Sequence, residues 1–152
     1  MKRYDLMHQI NLRGSFLMAK KCIPYLKKSE NPHILTMSPP LNMDPKWFGS
    51  HVAYTISKYG MSMLSLGLSE ELKPLGIASN TLWPRTVIWT SAIKMLAGAA
   101  VGEKHSRKPQ IVADAAYAIL GRDAKKVTGK FFIDDEVLAS EGIKNLDSYA
   151  YD

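Results

Sequence analysis

The chain has 152 residues, a formal net charge of +6 and one cysteine, Cys22. Its length suits one domain, and a composition of 46% hydrophobic and 22% charged residues is that of an ordinary globule, which excludes a largely disordered chain. One cysteine excludes an intrachain disulfide, and the lack of an 18-residue apolar run excludes a membrane-spanning helix. The basic residues are scattered, so we expect no nucleic-acid partner, and the histidines lack ligand spacing, so we expect no metal site.

The predicted elements alternate between helix and strand along the chain. Apolar residues at helical intervals predict a helix over 6–26, and an apolar run predicts a buried strand over 33–37 that stops at Ser38-Pro39-Pro40. The later elements, in chain order, are a helix capped by Ser50 that runs to about Lys73, a strand over 77–82, a short helix over 91–96, a helix over 109–121, a strand over 130–133 and a helix that begins at Asp134.

This alternation predicts an α/β fold. Short apolar strands between helices are typical of a parallel sheet with helices on its faces and right-handed crossovers. No composition shift or linker marks a boundary, so we expect a single domain.

Tyr54 and Lys58 are the residues with the clearest chemical potential. Their spacing places them one turn apart on the same face of the predicted helix. A free tyrosine has a pKa of about 10, and a nearby ammonium group favours the phenolate, so Lys58 is expected to lower the pKa of Tyr54. Such a pair can act as a general acid/base centre, although the spacing alone is also common on solvated helix faces.

Other polar residues are expected near this pair. In an open parallel sheet, ligands bind outside the carboxyl ends of the strands, which is where Ser38 and residues 83–90 fall. Asn11 lies inside the first helix, where an asparagine is unfavourable unless its side chain has another partner. The sequence therefore predicts one site at this edge of the sheet.

The series Asn11, Ser38, Tyr54-x-x-x-Lys58 and Asn80-x-x-x-Pro84 resembles the catalytic half of the short-chain dehydrogenase/reductases. The segments that begin at Cys22, Ser38, Ala53 and Leu82 are similar to hydroxysteroid dehydrogenase-like members of that family. The resemblance implies a three-layer Rossmann-type sheet, NADP as cofactor and a small apolar carbonyl or alcohol as substrate. It also implies a peroxisomal or mitochondrial location, although no targeting signal is readable in the chain, and a cytoplasmic location is expected otherwise.

The resemblance also assigns roles to individual residues. Tyr54 would exchange a proton with the substrate, and Lys58 would hold the nicotinamide ribose. Asn11 would position a water molecule; the alternative is a buried amide that is simply satisfied. Val87 and Thr90 would contact the cofactor.

Several features depart from the family pattern, among them a Ser38 to Tyr54 gap that is longer than usual and a Thr90 that comes one position later than expected. The family commonly has two serines at the end of this strand, and here Pro39 occupies the second place, so Ser38 is either the group that hydrogen-bonds the substrate oxygen or a strand-end cap. Arg85 replaces the common glycine after Pro84.

The chain contains no glycine-rich dinucleotide loop of the Gly-x-Gly-x-x-Gly kind. We therefore expect residues 1–152 to be a partial domain, the second half of a doubly wound fold with about three strands, whose cofactor-binding half is absent. The first strand would then be an exposed edge, which favours self-association or pairing with a full-length relative. Three hypotheses follow: an oxidoreductase fragment with impaired or no independent activity, a non-catalytic interaction fragment, or a truncated product without a function.

Overall fold

The computed structural model describes residues 1–97 and 103–151. Its strands are β1 His33–Met37, β2 Ala78–Trp83 and β3 Phe131–Ile133. They form a three-stranded parallel sheet in the order β1-β2-β3. This arrangement confirms the predicted α/β class with a partial Rossmann-type sheet, and it places β1 at an edge of the sheet, as predicted.

The N-terminal helical segment differs from the single helix predicted over 6–26. It consists of α1 Lys2–His8, a π-helical turn Gln9–Arg13 and α2 Gly14–Leu26. The Gly14 N–H reaches back to the Gln9 carbonyl, five residues earlier, which is the hydrogen bond of a π-helix. The polar first turn hid the true start of the segment from an argument based on apolar periodicity.

The central helix is α3 Val52–Glu71. The prediction that Ser50 caps it is wrong, because the N-cap residue is His51, which makes no side-chain capping hydrogen bond. A 3₁₀ turn, Lys73–Leu75, follows the helix, and Gly76 then adopts a φ of 68°, a left-handed conformation that glycine reaches without steric cost.

The chain divides into two compact units. The first comprises Met1–Thr81 and Arg122–Phe131, and the second comprises Leu82–Gly121 and Phe132–Asp152. The expectation of a single domain stays a prediction. A buried cluster forms the core of the first unit: Ala19 of α2, Leu68 of α3, Leu72 directly after α3 and Ile77 directly before β2.

The second unit contains α4 Ser91–Ala97, α5 Gln110–Leu120 and α6 Asp134–Ser140. Helices α5 and α6 pack against each other, and their buried apolar side chains are Ile111, Ala115, Ile119, Val137 and Leu138. The acidic first turn of α6 suits the positive end of the helix dipole, as the sequence predicts.

Candidate active site

Tyr54 and Lys58 lie one turn apart at the start of α3, in the first unit. The Tyr54 side chain is 44% exposed. Lys58 Nζ lies 6.0 Å from the centroid of the Tyr54 ring and donates a hydrogen bond to the Met37 carbonyl at 3.0 Å. Since Met37 is the last residue of β1, the ammonium group lies at the carboxyl end of that strand.

Burial shifts both pKa values in opposite directions. It raises the pKa of Tyr54 above 10.0 and lowers the pKa of Lys58 below 10.5, because desolvation disfavours the charged form of each group. The prediction that Lys58 lowers the pKa of Tyr54 is wrong for this arrangement. Desolvation causes the upward shift of the Tyr54 pKa, and the Lys58 ammonium group, 6.0 Å from the ring centroid, does not offset it. Tyr54 is therefore a neutral phenol at neutral pH.

Asn11 lies in the π-helical turn and is connected to the turn of α3 that carries Tyr54. Its Nδ2 donates to Ser57 Oγ at 3.1 Å, and Ser57 Oγ donates to the Tyr54 carbonyl at 2.8 Å. Ser57 is fully buried. Asn11 thus has the partner that an asparagine inside a helix needs, and this partner, Ser57, was not predicted from the sequence.

The contact between α3 and the π-helical turn is close at Gly60. A Cβ atom at this position would lie 2.9 Å from Leu12 Cδ2, closer than real Cβ contacts allow. A side chain at position 60 would therefore require the Leu12 side chain to shift.

One face of α3 also holds the loop that follows β1. In addition to Lys58, three side chains of the helix donate hydrogen bonds to backbone carbonyls of that loop: Thr55 to Trp47 at 2.9 Å, Tyr59 to Asn42 at 2.7 Å and Ser62 to Pro39 at 2.6 Å. These residues were not predicted from the sequence. Their signal is a run of polar side chains at helical intervals on the face of α3 that the apolar pattern leaves open.

Ser38 lies directly after β1 and is completely buried. Its Oγ makes no hydrogen bond to any described residue. The alternative of a strand-end cap therefore lacks the hydrogen bond that a cap requires. A buried hydroxyl without a hydrogen-bond partner destabilises the fold by about 1–3 kcal/mol, and binding an external oxygen atom would remove that cost. This role of Ser38 stays a prediction.

Val87 and Thr90 belong to the second unit. Val87 is half-exposed, and its carbonyl accepts the Arg107 N–H at 2.9 Å. Thr90 caps α4, because its Oγ1 accepts the Ile93 N–H at 3.4 Å and its carbonyl accepts the Lys94 N–H at 2.9 Å. Thr90 thus has a structural role at the start of α4. That Val87 and Thr90 contact a cofactor stays a prediction.

Arg85, at the position of the common glycine, is held at the start of α6. Its backbone N–H donates to Asp134 Oδ1 at 2.8 Å. Its guanidinium group forms an ion pair with Asp135 at 3.1 Å and a second one with Glu136. The Arg85 side chain is thus paired with the acidic first turn of α6.

The described ranges contain no group of three or more histidine, cysteine or acidic side chains that could hold a metal ion. His33 instead makes a structural contact between its Nε2 and the Arg122 carbonyl at 3.0 Å. None of the described helices combines the length and apolar character needed to cross a bilayer.

Comparison with known proteins defines the class. Residues 1–136 match the family model described as Enoyl-(Acyl carrier protein) reductase. With a Rossmann-type sheet and the Tyr54 and Lys58 pair, this match shows that the chain belongs to the short-chain dehydrogenase/reductase family.

Within that family, the chain is similar to hydroxysteroid dehydrogenase-like protein 2. It is 60% identical to the Xenopus laevis protein over 150 residues, which are 99% of this chain and 35% of that protein. The chain thus spans about a third of the length of this relative.

Two solved structures share the fold over nearly the whole chain. A protein from Xanthomonas campestris described as a dehydrogenase matches with a TM-score of 0.92 at 53% identity, over 100% of this chain and 55% of that one. A short chain dehydrogenase from Mycobacterium thermoresistibile matches with a TM-score of 0.90 at 44% identity, over 99% of this chain and 53% of that one. At 19% identity, which shows the fold alone, the neighbours include an NADP-bound angucycline ketoreductase and an NADH-bound 4-hydroxyisoleucine dehydrogenase.

Proposed function

We propose that this chain contributes the acid/base centre of an NADP-linked oxidoreductase that acts on a small apolar carbonyl or alcohol. The observation that carries the proposal is the half-exposed Tyr54 phenol, one turn from Lys58 at the carboxyl end of β1. Family membership supports oxidoreductase chemistry, and the similarity to hydroxysteroid dehydrogenase-like proteins supports an apolar substrate.

In this proposal, Tyr54 is the proton donor for carbonyl reduction. Its raised pKa keeps the phenol protonated at neutral pH, so it can give its proton to a substrate oxygen that gains negative charge. Lys58 is held by the Met37 carbonyl at the carboxyl end of β1, where its ammonium group would bind the nicotinamide ribose. Asn11 supports the same turn of α3 through Ser57, and Ser38 supplies a second hydroxyl to the substrate oxygen.

The cofactor, when bound, supplies the hydride. The residues that would hold its nicotinamide end are Tyr54, Lys58, Val87 and Thr90. The donor set fits a ribose, because the phenol is exposed and the ammonium already donates to a neutral carbonyl oxygen. NADP is proposed over NAD from the family resemblance.

A binding experiment tests the proposal. Isothermal titration with NADPH and, separately, with NADH should give heat with NADPH, weakly because the chain contains no glycine-rich loop. No heat at millimolar NADPH rules out independent catalysis, and stronger binding of NADH overturns the choice of NADP. We propose that residues 1–152 are one partial catalytic domain, so turnover by the chain alone should be low or absent.

A non-catalytic fragment that docks on a full-length relative is the second candidate. The observation in its favour is the number of exposed apolar side chains in the helices of the first unit, among them Leu6, Ile10, Phe16, Ile56 and Met63. Exposed apolar surface of this kind marks protein contacts. Co-elution with a full-length relative should be lost on Met63→Glu and kept on Met95→Glu, a matched change on α4. Elution apart in mild salt argues against docking, and a dimer of the chain alone indicates self-association instead.

The compartment follows from the same resemblance. We place the protein in peroxisomes or mitochondria, and imaging of the tagged natural protein against markers of both organelles tests the assignment. A diffuse cytoplasmic signal would contradict it.

A further inference from the structure

The backbone of Arg107 joins two segments of the second unit. Its N–H donates to the Val87 carbonyl at 2.9 Å, and its carbonyl accepts the Trp89 N–H at 2.9 Å, which makes a parallel bridge to Ile88. Arg107 also forms an antiparallel bridge to Ala150. The 87–90 loop and the C-terminal segment, residues 147–151, are therefore both bridged to Arg107.

Side chains and backbone of the second unit hold the C-terminal segment. Tyr149 is only 7% exposed, and its hydroxyl donates to Asp114 Oδ2 at 2.7 Å. The Lys108 N–H donates to the Tyr149 carbonyl at 2.8 Å, and Lys108 Nζ donates to the Ser148 carbonyl at 3.1 Å. The segment is thus attached both at α5 and immediately beside Arg107.

The strongest of these attachments is the hydrogen bond between Tyr149 and Asp114. A hydrogen bond to a carboxylate is shorter and roughly twice as strong as one between neutral groups. The second oxygen of Asp114 accepts Gln110 Nε2 at 2.6 Å, which fixes the carboxylate on α5. By contrast, the bridge to Ile88 consists of single-residue pairing, so its strength depends on what holds Arg107 from the other side.

We propose that Tyr149 is a positioning residue for the 87–90 loop: docked against Asp114, it holds Arg107 in the bridge and thereby fixes Val87 and Thr90. The link to cofactor binding rests on the proposed function, in which the loop contacts the cofactor. The link between segment and loop rests on the hydrogen bonds alone.

Amide hydrogen exchange tests the link without any cofactor. Tyr149→Phe should accelerate exchange of the Lys108, Arg107 and Trp89 amides by about tenfold, since their acceptors lie within the bridge. The Glu141 amide, bonded to Val137 at the end of α6, should keep its rate. Tyr117→Phe is the matched control, because Tyr117 lies on α5, like Asp114, but its side chain is 84% exposed.

The outcome is decided by which amides respond. Acceleration at Lys108 with no change at Arg107 and Trp89 would show that the segment leaves without affecting the loop, and the proposal fails. Equal acceleration at Glu141 would also overturn it, because the whole unit would then be destabilised.

A second pair of variants separates the hydrogen bond from general damage. Asp114→Asn keeps an oxygen acceptor and should give a smaller acceleration than Asp114→Ala. The double variant Tyr149→Phe, Asp114→Ala should be no faster than Asp114→Ala alone, since both changes remove one interaction. Additive effects contradict the proposal.

Cofactor titration separates this proposal from the function on which it draws. If NADPH binds, Tyr149→Phe should weaken binding about tenfold while Tyr117→Phe leaves it unchanged. If the unmodified chain binds no NADPH, the proposed function fails, but the exchange pattern still decides whether Tyr149 fixes the loop.

Discussion

The loops that follow β1 and β2 are held in different ways. The loop after β1 is bound by side chains of the next helix, α3, which donate to the carbonyls of Met37, Pro39, Asn42 and Trp47. The loop after β2 is bound by partners much further along the chain, Asp134 and Arg107. A sequence pattern can reveal support by α3, because the donors recur at helical intervals within one helix. It can hardly reveal support by Asp134 and Arg107, because these residues lie far along the chain from the loop that they bind.

The largest expected effect is a loss of hydride transfer on substitution of Tyr54, on the helix that holds the loop after β1. Tyr54→Phe removes the phenolic proton, and hydride transfer should fall by about 10²–10⁴. Single-turnover oxidation of NADPH with an apolar ketone measures it. Tyr25→Phe, at a tyrosine 73% exposed on α2, is the control and should behave like the unmodified chain. Unchanged turnover in Tyr54→Phe would refute the role of this residue.

The next effect tests the loop after β2. Asp134 is completely buried and accepts the backbone N–H groups of both Arg85 and Asp135 at 2.8 Å. Asp134→Ala leaves two donors without this acceptor, so the free energy of unfolding should fall by about 3 kcal/mol. Asp134→Asn keeps one oxygen and should lose about 1 kcal/mol. Urea denaturation measures both; equal losses would mean that the acceptor is not what matters.

A smaller loss of stability is expected on removal of one hydrogen bond between α3 and the loop after β1. Ser62→Ala removes the hydrogen bond to the Pro39 carbonyl and should cost about 1 kcal/mol of unfolding free energy. Ser50→Ala, at the position that the sequence suggested as the helix cap, should cost less than about 0.5 kcal/mol, because His51 is the N-cap. If Ser50→Ala lowered the unfolding free energy more than Ser62→Ala, the prediction that Ser50 caps α3 would be supported after all.

The smallest effect is a pH dependence in the second unit. The hydrogen bond to Asp114 raises the pKa of Tyr149 above 10.0, its value in an unfolded chain. A raised pKa favours the folded state while the phenol is protonated, so this contribution is complete below pH 10 and is lost as the pH rises through the folded-state pKa. Above pH 10 the unfolding free energy should fall more steeply in the unmodified chain than in Tyr149→Phe, by about 1 kcal/mol or less. Parallel curves would argue against the hydrogen bond.

Much of the fold could be predicted because it depends on local patterns. The alternation of helix and strand and the ends of β1 follow from apolar runs and prolines that act over a few residues. Boundaries were less accurate: β2 and β3 each begin one residue later than expected, and the π-helical turn escaped notice. A π-helical turn depends on one altered hydrogen bond and leaves little trace in the hydropathy pattern.

The sequence alone determined the α/β class and the pairing of Tyr54 with Lys58, because helical geometry fixes which residues share a face. Only the tertiary structure decided the electrostatics of that pair. It set how far each group is buried, so the pKa of Tyr54 rises where the sequence predicted a fall, and it directed Lys58 to the Met37 carbonyl. The partners of Asn11, Arg85 and Tyr149 were likewise decided by the fold, since each contact joins residues at least 35 positions apart.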